Sequence, residues 1–138
     1  MYGFLVYGEA AVKVRRDMRG RLIRSGDRVF EGDEEGADLL RSFLTRHLPS
    51  DVGPTLANRT CVYDMPPDRD FILDTLPDHP HIALFNGAGH AGKFAALIGK
   101  ILADLLTEGV TTHDISAFSL QRLALTHSEF QPVFRLTS

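Results

Sequence analysis

Phe85-Asn86-Gly87-Ala88-Gly89-His90-Ala91-Gly92-Lys93-Phe94 decides how this chain is read. The apolar run His81 to Phe85 that leads into it predicts a buried strand. The segment after it places Phe94, Leu97, Ile98, Ile101, Leu102, Leu105 and Leu106 on one stripe, the spacing of an amphipathic helix. Gly109 is placed to stop that helix. A glycine-rich turn between a strand and a helix N-terminus brings backbone N–H groups to an anionic or carbonyl-bearing ligand. Lys93 falls in the first helical turn, where the dipole does not favour a cation. It reads either as a solvated surface lysine or as a group with a role outside the helix.

Two generic motifs compete for this turn. Gly87-Ala88-Gly89-His90-Ala91-Gly92 matches the dinucleotide fingerprint G-x-G-x-x-G after a strand and before a helix. A dinucleotide-binding unit also needs a second parallel strand that ends in an acidic residue, and Thr111-Thr112-His113-Asp114 gives no clear strand of that kind. Gly87 to Lys93 is also close to a phosphate-binding P-loop, but Phe94 stands where a hydroxyl must hold magnesium. Hydrolysis of a nucleoside triphosphate is therefore not expected.

Upstream, Gly3 to Tyr7 reads as a strand, Gly8-Glu9 as a tight turn, and Ala10 to Arg15 as an alternating strand. A sheet that starts at residue 2 suggests a truncated or split protein. Asp33 to Leu48 reads as a helix: Ala37, Leu40, Phe43, Leu44 and Leu48 form its stripe, and Pro49 ends it. Its first turns are acidic and its last carries Arg46 and His47, as the dipole prefers. Asn58 to Met65 alternates like a strand, Pro66-Pro67-Asp68 reads as a turn, and Arg69 to Asp74 as a short strand. Pro77-Asp78-His79-Pro80 reads as another turn. The tail beyond Leu125 is expected to be loosely held.

Composition bounds the function. The chain has 138 residues, 43% hydrophobic and 24% charged, the balance of one globular domain. A net charge of −3 argues against non-specific nucleic-acid binding. The basic block at residues 13–28 has no interleaved aromatics, so it reads as a solvated loop offset by the acidic residues 31–38. No apolar run reaches the ~20 residues of a membrane span, and no secretory leader is legible at the start. The lone Cys61 excludes an internal disulfide and fits a reducing, cytoplasmic setting.

A longer ordered pattern runs from residue 2 to about residue 122. It comprises Tyr2-Gly3-Phe4, Lys13, Cys61-Val62-Tyr63, Asp68-Arg69-Asp70-Phe71-Ile72-Leu73-Asp74 and Pro77-Asp78-His79-Pro80. It continues through Gly89-His90-Ala91-Gly92-Lys93-Phe94 and His113-Asp114-Ile115-Ser116-Ala117-Phe118-Ser119. In order and spacing this set resembles the C-terminal portion of the monomeric sarcosine oxidase and N-methyltryptophan oxidase family, which are FAD-dependent amine oxidases.

The resemblance implies an α+β fold. Residues 1–75 would belong to the antiparallel sheet of a substrate-binding domain with a packed helix. Residues 76–138 would carry the returning strand and helix of an FAD-binding domain, with the N-terminal dinucleotide-binding half absent. It implies FAD tethered covalently through Cys61, since a thiolate can attack an electrophilic oxidised flavin. Lys13 would stand near the flavin and promote reaction of the reduced ring with oxygen, a fixed cation stabilising developing superoxide charge. Lys93 would bind the substrate carboxylate, while Gly89 and His90 would pack on the flavin at the helix N-terminus. Tyr2 and Tyr63 would be active-site tyrosines. The implied reaction oxidises a secondary amine or N-methyl amino acid and reduces oxygen to hydrogen peroxide. Implied partners are a small amine substrate, oxygen, and either an N-terminal FAD-binding half or another copy of the chain.

The chain departs from the family pattern at Asn86, Gly87 and Ala88, at Gly92 in place of an aromatic, and at Asp17 in place of a histidine. These changes bear on which amine is accepted. A nucleotide-binding module built on the G-x-G-x-x-G turn and a non-catalytic oligomeric fragment are the alternatives from other classes. Asp78, His79, His81 and His90 show no ligand spacing that points to a metal.

Overall fold

The computed structural model describes residues 1–6, 8, 10–17 and 20–134. These fall into two compact units, one within Met1–Cys61 and one within Val62–Arg135. Among the described residues the fold is α+β, with helices and two small antiparallel sheets.

In the first unit, β1 (Tyr2–Phe4) pairs antiparallel with β2 (Lys13–Arg15), Tyr2 opposite Arg15 and Phe4 opposite Lys13. Among the described residues the two strands are shorter than the alternation suggested, and no pair beyond Phe4 and Lys13 is formed. Tyr7 and Glu9, the expected strand end and turn residue, lie outside the described residues. Helix α1 (Glu34–His47) starts where the sequence placed it: Asp33 is its N-cap, its carboxylate accepting the Gly36 N–H at 3.0 Å. Leu48 closes it, donating its N–H to the Leu44 carbonyl, and Pro49 opens a short 3-10 turn. The expected strand Asn58 to Met65 is not formed. Its alternation fits a strand, but no described strand pairs with it. In place of a ladder, side chains dock the segment: Asn58 Nδ2 donates to the Asp33 carbonyl, and Thr60 Oγ1 to those of Val29 and Glu31.

The second unit is a hairpin covered by a helix. Strands β3 (Ile72–Leu76) and β4 (His79–Asn86) pair antiparallel, with Ile72 opposite Asn86, Leu73 opposite Phe85 and Thr75 opposite Ala83. The register then shifts so that Leu76 meets His79. Pro80, which has no N–H to give to a ladder, falls in the irregular stretch. The hairpin turn is only Pro77-Asp78; His79 and Pro80, expected in the turn, already belong to β4. β3 begins three residues later than expected and continues two residues past Asp74.

Helix α2 (Ala95–Thr107) lays Ile98 and Ile101 on the hairpin, and Gly109, at φ +74°, lies just past its end. The core joins these two residues to Leu73 and Ala91, with Phe71, Phe85, Leu102, Leu105, Ile115 and Phe118 packed around them. One sheet face is covered and the other is not. β4 is therefore not the buried strand its apolar run predicted: Ile82 is 44% and Leu84 38% exposed. The helical stripe is likewise wider than the surface it meets, and Phe94, Leu97 and Leu106 remain exposed.

A short helix α3 (Leu123–Thr126) follows. The segment after it is better held than expected, since the Val133 N–H donates to the Pro67 carbonyl at 2.9 Å.

Candidate functional site

The glycine-rich turn joins β4 to α2 and is stabilised mainly by its own backbone. Asn86 Oδ1 accepts the Ala88 N–H at 2.8 Å, and the His90 N–H donates to the Gly87 carbonyl at 2.9 Å. The Phe94 N–H donates to the Ala91 carbonyl at 2.8 Å. Ala88 and Gly89 are both in the left-handed region, at φ +47° and +78°. Ala88 is buried and carries strain of the kind often concentrated at working sites. Gly89 has a second constraint: a Cβ there would run into the ring of half-buried Tyr63. Only glycine satisfies both the dihedral and the contact.

Lys93 does not lie in the first turn of α2. It lies in a 3-10 turn, Gly92–Phe94, that precedes the helix, and Phe94 occupies the N-cap without a side-chain capping bond. The positive end of the helix is thus neither capped by a side chain nor flanked by an acidic first turn. Lys93 is exposed, with Nζ 5.3 Å from the centroid of the Phe94 ring, within cation–π range. His90 is exposed beside it.

Beneath the turn, Phe71 touches four rings. Its centroid lies 5.3 Å from His90, 5.9 Å from Phe94, 6.1 Å from Phe85 and 5.7 Å from Phe118. The residues on either side of Phe71 are tied to the segment after α2. Arg122 grips Asp68 through two bonds, Nε to Oδ2 at 2.6 Å and Nη2 to Oδ1 at 3.0 Å, with both side chains nearly buried. The guanidinium also donates to the Ser119 and Asp70 carbonyls. Asp74 Oδ2 accepts Ser119 Oγ and the Leu120 N–H, each at 2.9 Å. The Arg122 hydrogen bond holds the Asp68 carboxyl below its ordinary pKa, against the opposing effect of burial. Asp114 is lowered as well, chiefly by the Ser116 hydroxyl and then by the Ser116 N–H.

The second unit thus brings Tyr63, Gly89, His90 and Lys93 onto one glycine-turn neighbourhood, supported by Phe71 and Phe94. Tyr2, Lys13 and Cys61 belong to the first unit. Tyr2 is 45% exposed in β1, Lys13 is exposed in β2 opposite Phe4, and Cys61 is an exposed free thiol. Sequence reasoning gave no role to Phe71, Asp68, Asp74 or Arg122. Phe71 shares strand parity with the buried Leu73, a signal that it faces the core. Nothing local marks Arg122 as the partner of a residue 54 positions away.

The literal G-x-G-x-x-G motif does not sit in a dinucleotide-binding unit. β4 pairs antiparallel with β3, and no strand follows α2 among the described residues. Nor do the described residues gather three or more His, Cys, Asp or Glu side chains able to hold a metal ion.

A flavin would find suitable groups here. The turn exposes the backbone at Gly89 and Gly92, and Lys93 and the N-terminal end of α2 offer positive charge; in the first unit, taken by itself, the Cys61 thiol is accessible.

Comparison with known proteins agrees with that chemistry. The sequence profile of the FAD dependent oxidoreductase (DAO) family matches residues 3–105. Monomeric sarcosine oxidase from Bacillus sp. (strain NS-129) is 36% identical over 127 residues, covering 90% of this chain and 33% of that protein. The protein of the same name from Arthrobacter sp. (strain TE1826) is 33% identical over 131 residues, 93% of this chain and 34% of its own length. N-methyl-L-tryptophan oxidase from Yersinia pestis (strain Pestoides F) is 39% identical over 124 residues, 88% and 33% respectively. The chain therefore spans about a third of the curated relatives it matches. With the profile covering most of its length, the chain belongs to the FAD dependent oxidoreductase family.

Proposed function

We propose that this chain is the C-terminal portion of an FAD-dependent oxidase acting on a secondary amine or N-methyl amino acid. Residues 1–75 would serve as part of the substrate-binding domain and residues 76–138 as the returning strand and helix of the FAD domain. The observation that carries this reading is the turn itself. Gly89-His90 and Lys93 stand exposed at an uncapped helix N-terminus within a chain that matches sarcosine and N-methyltryptophan oxidases along most of its length.

FAD, when bound, would supply the redox chemistry that couples oxidation of the amine to reduction of oxygen to hydrogen peroxide. The chain's own residues hold and orient. The Cys61 thiol is the tether for the ring. Gly89 would permit close approach of the ligand to the backbone, and the N-terminal end of α2 would favour negative charge on it. By the resemblance, Lys93 would bind the substrate carboxylate, and Tyr2 and Tyr63 would each serve as an active-site tyrosine. Lys13 supplies the fixed cation for the oxygen half-reaction. The ADP part of FAD would be held by an N-terminal half or by another chain, in a cytoplasmic setting that keeps Cys61 reduced.

The test is flavin retention. The purified chain is incubated with FAD, then denatured and desalted. Visible absorbance should stay with the protein and disappear in Cys61→Ala. A colourless wild-type protein would sink the covalent-flavin reading for this chain.

A further inference from the structure

We propose that Phe71 is a positioning residue for the turn Gly87–Phe94, and that through it the segment after α2 sets how His90 and Lys93 are presented. This rests on the reading that the turn faces a flavin.

The turn's own hydrogen bonds are all local, from Asn86 to Ala88, His90 to Gly87 and Phe94 to Ala91. They fix the backbone path but leave the exposed side chains of His90 and Lys93 to choose among rotamers. Phe71 supplies the longer-range restraint. Its ring lies against His90 on one side of Lys93 in the chain and against Phe94 on the other, and Phe94 is the ring beneath Lys93 Nζ. Phe71 is held in turn by Phe85 and Phe118. The backbone around it is fixed by the grip of Arg122 on Asp68 and by the bonds of Asp74 to Ser119 and Leu120. Five rings, counting His90, thus meet at spacings where aromatic pairs prefer defined orientations. The apolar residues at positions 71 and 118 therefore act beyond the core: they decide where an imidazole and an ammonium point.

The experiment compares the full chain with Phe71→Leu, Phe71→Tyr and Phe118→Leu. One readout is the ¹H–¹³C spectrum of the His90 ring without ligand. The other is the FAD dissociation constant from the visible spectrum, with every variant built on Cys61→Ala so that uptake is reversible. Phe71→Leu should move the His90 ring resonances toward those of free histidine and weaken FAD binding about tenfold, with helical circular dichroism unchanged. Phe71→Tyr, which keeps the ring, should restore both. Phe118→Leu should move both the same way by less, and carries the test if Phe71→Leu does not fold. Unmoved His90 resonances in the folded leucine variants overturn the proposal and leave the flavin reading standing. Moved resonances with unchanged FAD affinity overturn it too. A wild-type chain that takes up no FAD overturns the reading of the turn as a flavin site, and the positioning role with it, even where the His90 spectrum responds.

Discussion

The two units use the same raw material differently. Helix α1 in the first carries an apolar stripe as regular as that of α2 in the second, yet buries no residue, whereas α2 buries Ile98 and Ile101. Among the described residues every buried hydrophobic lies in the second unit. The difference comes from what each helix meets. α2 lies on a hairpin that presents Leu73 and Phe85 from one face, and the aromatic cluster closes its end. α1 is kept in place by polar stitches instead, Arg41 to the Gly53 carbonyl and Thr55 hydroxyl, and Asn58 to the Asp33 carbonyl. A helix can therefore be specified by its own caps and period without possessing a core. The unit that owns a core also carries the exposed glycine turn, which needs a rigid base.

The sharpest way to break this comparison is to cut the same atoms from both helices. Ile101→Ala should cost the second unit about 3 kcal/mol, as transfer and cavity terms add in a buried site. Leu40→Ala in α1, half-buried, should cost no more than about 1 kcal/mol. Urea unfolding followed by amide exchange in each unit measures both; equal losses would dissolve the distinction.

Next in size is the ionic clasp. Arg122→Ala leaves the Asp68 carboxylate nearly buried without its partner and should cost about 2 kcal/mol. The clasp is also acid-sensitive in a defined sense. The folded-state pKa of Asp68 is below its ordinary value, so the unfolded chain takes up the proton first. The stabilisation is whole above the ordinary aspartate pKa of about 3.9 and is lost as pH falls through the lowered folded value. Urea midpoints from pH 6 to 2 should show this fall in the wild type and a flatter profile in Asp68→Asn.

The smallest effect belongs to the first unit. Asp33→Ala removes the α1 N-cap and should cost about 1 kcal/mol, read as faster exchange of the amides in the first helical turn. Asp33→Ser should retain most of it.

What was legible in the sequence followed from whether the determinants were local. Asp33, the acidic first turn and Pro49 bracket α1 within a residue, and the 98/101/102/105 spacing found the buried face of α2. The antiparallel pairing of β3 with β4 was not read, because the turn needed only Pro77-Asp78 and the flanking residues belong to the strand. The segment 58–65 shows the converse: its alternation was strand-like, but a strand needs a neighbour to bond to, and side chains of Asn58 and Thr60 took that place. The candidate site was half visible. Gly89, His90 and Lys93 announce themselves by the turn chemistry. The ring beneath them and the Asp68–Arg122 and Asp74–Ser119 ties join residues 45 to 54 positions apart, which no local pattern encodes.

Those long-range ties also impose an order of events on folding. The hairpin and α2 are contiguous in sequence and close small loops, so they can form early, and once formed they shorten the 54-position separation that joining Asp68 to Arg122 has to close. The clasp is then expected to form after the hairpin and α2. In the folded chain, residues 113–122 should open as a unit while the hairpin stays protected. Each opening takes Phe118 away from Phe71, so the rate at which the segment breathes sets a clock for the glycine turn above it.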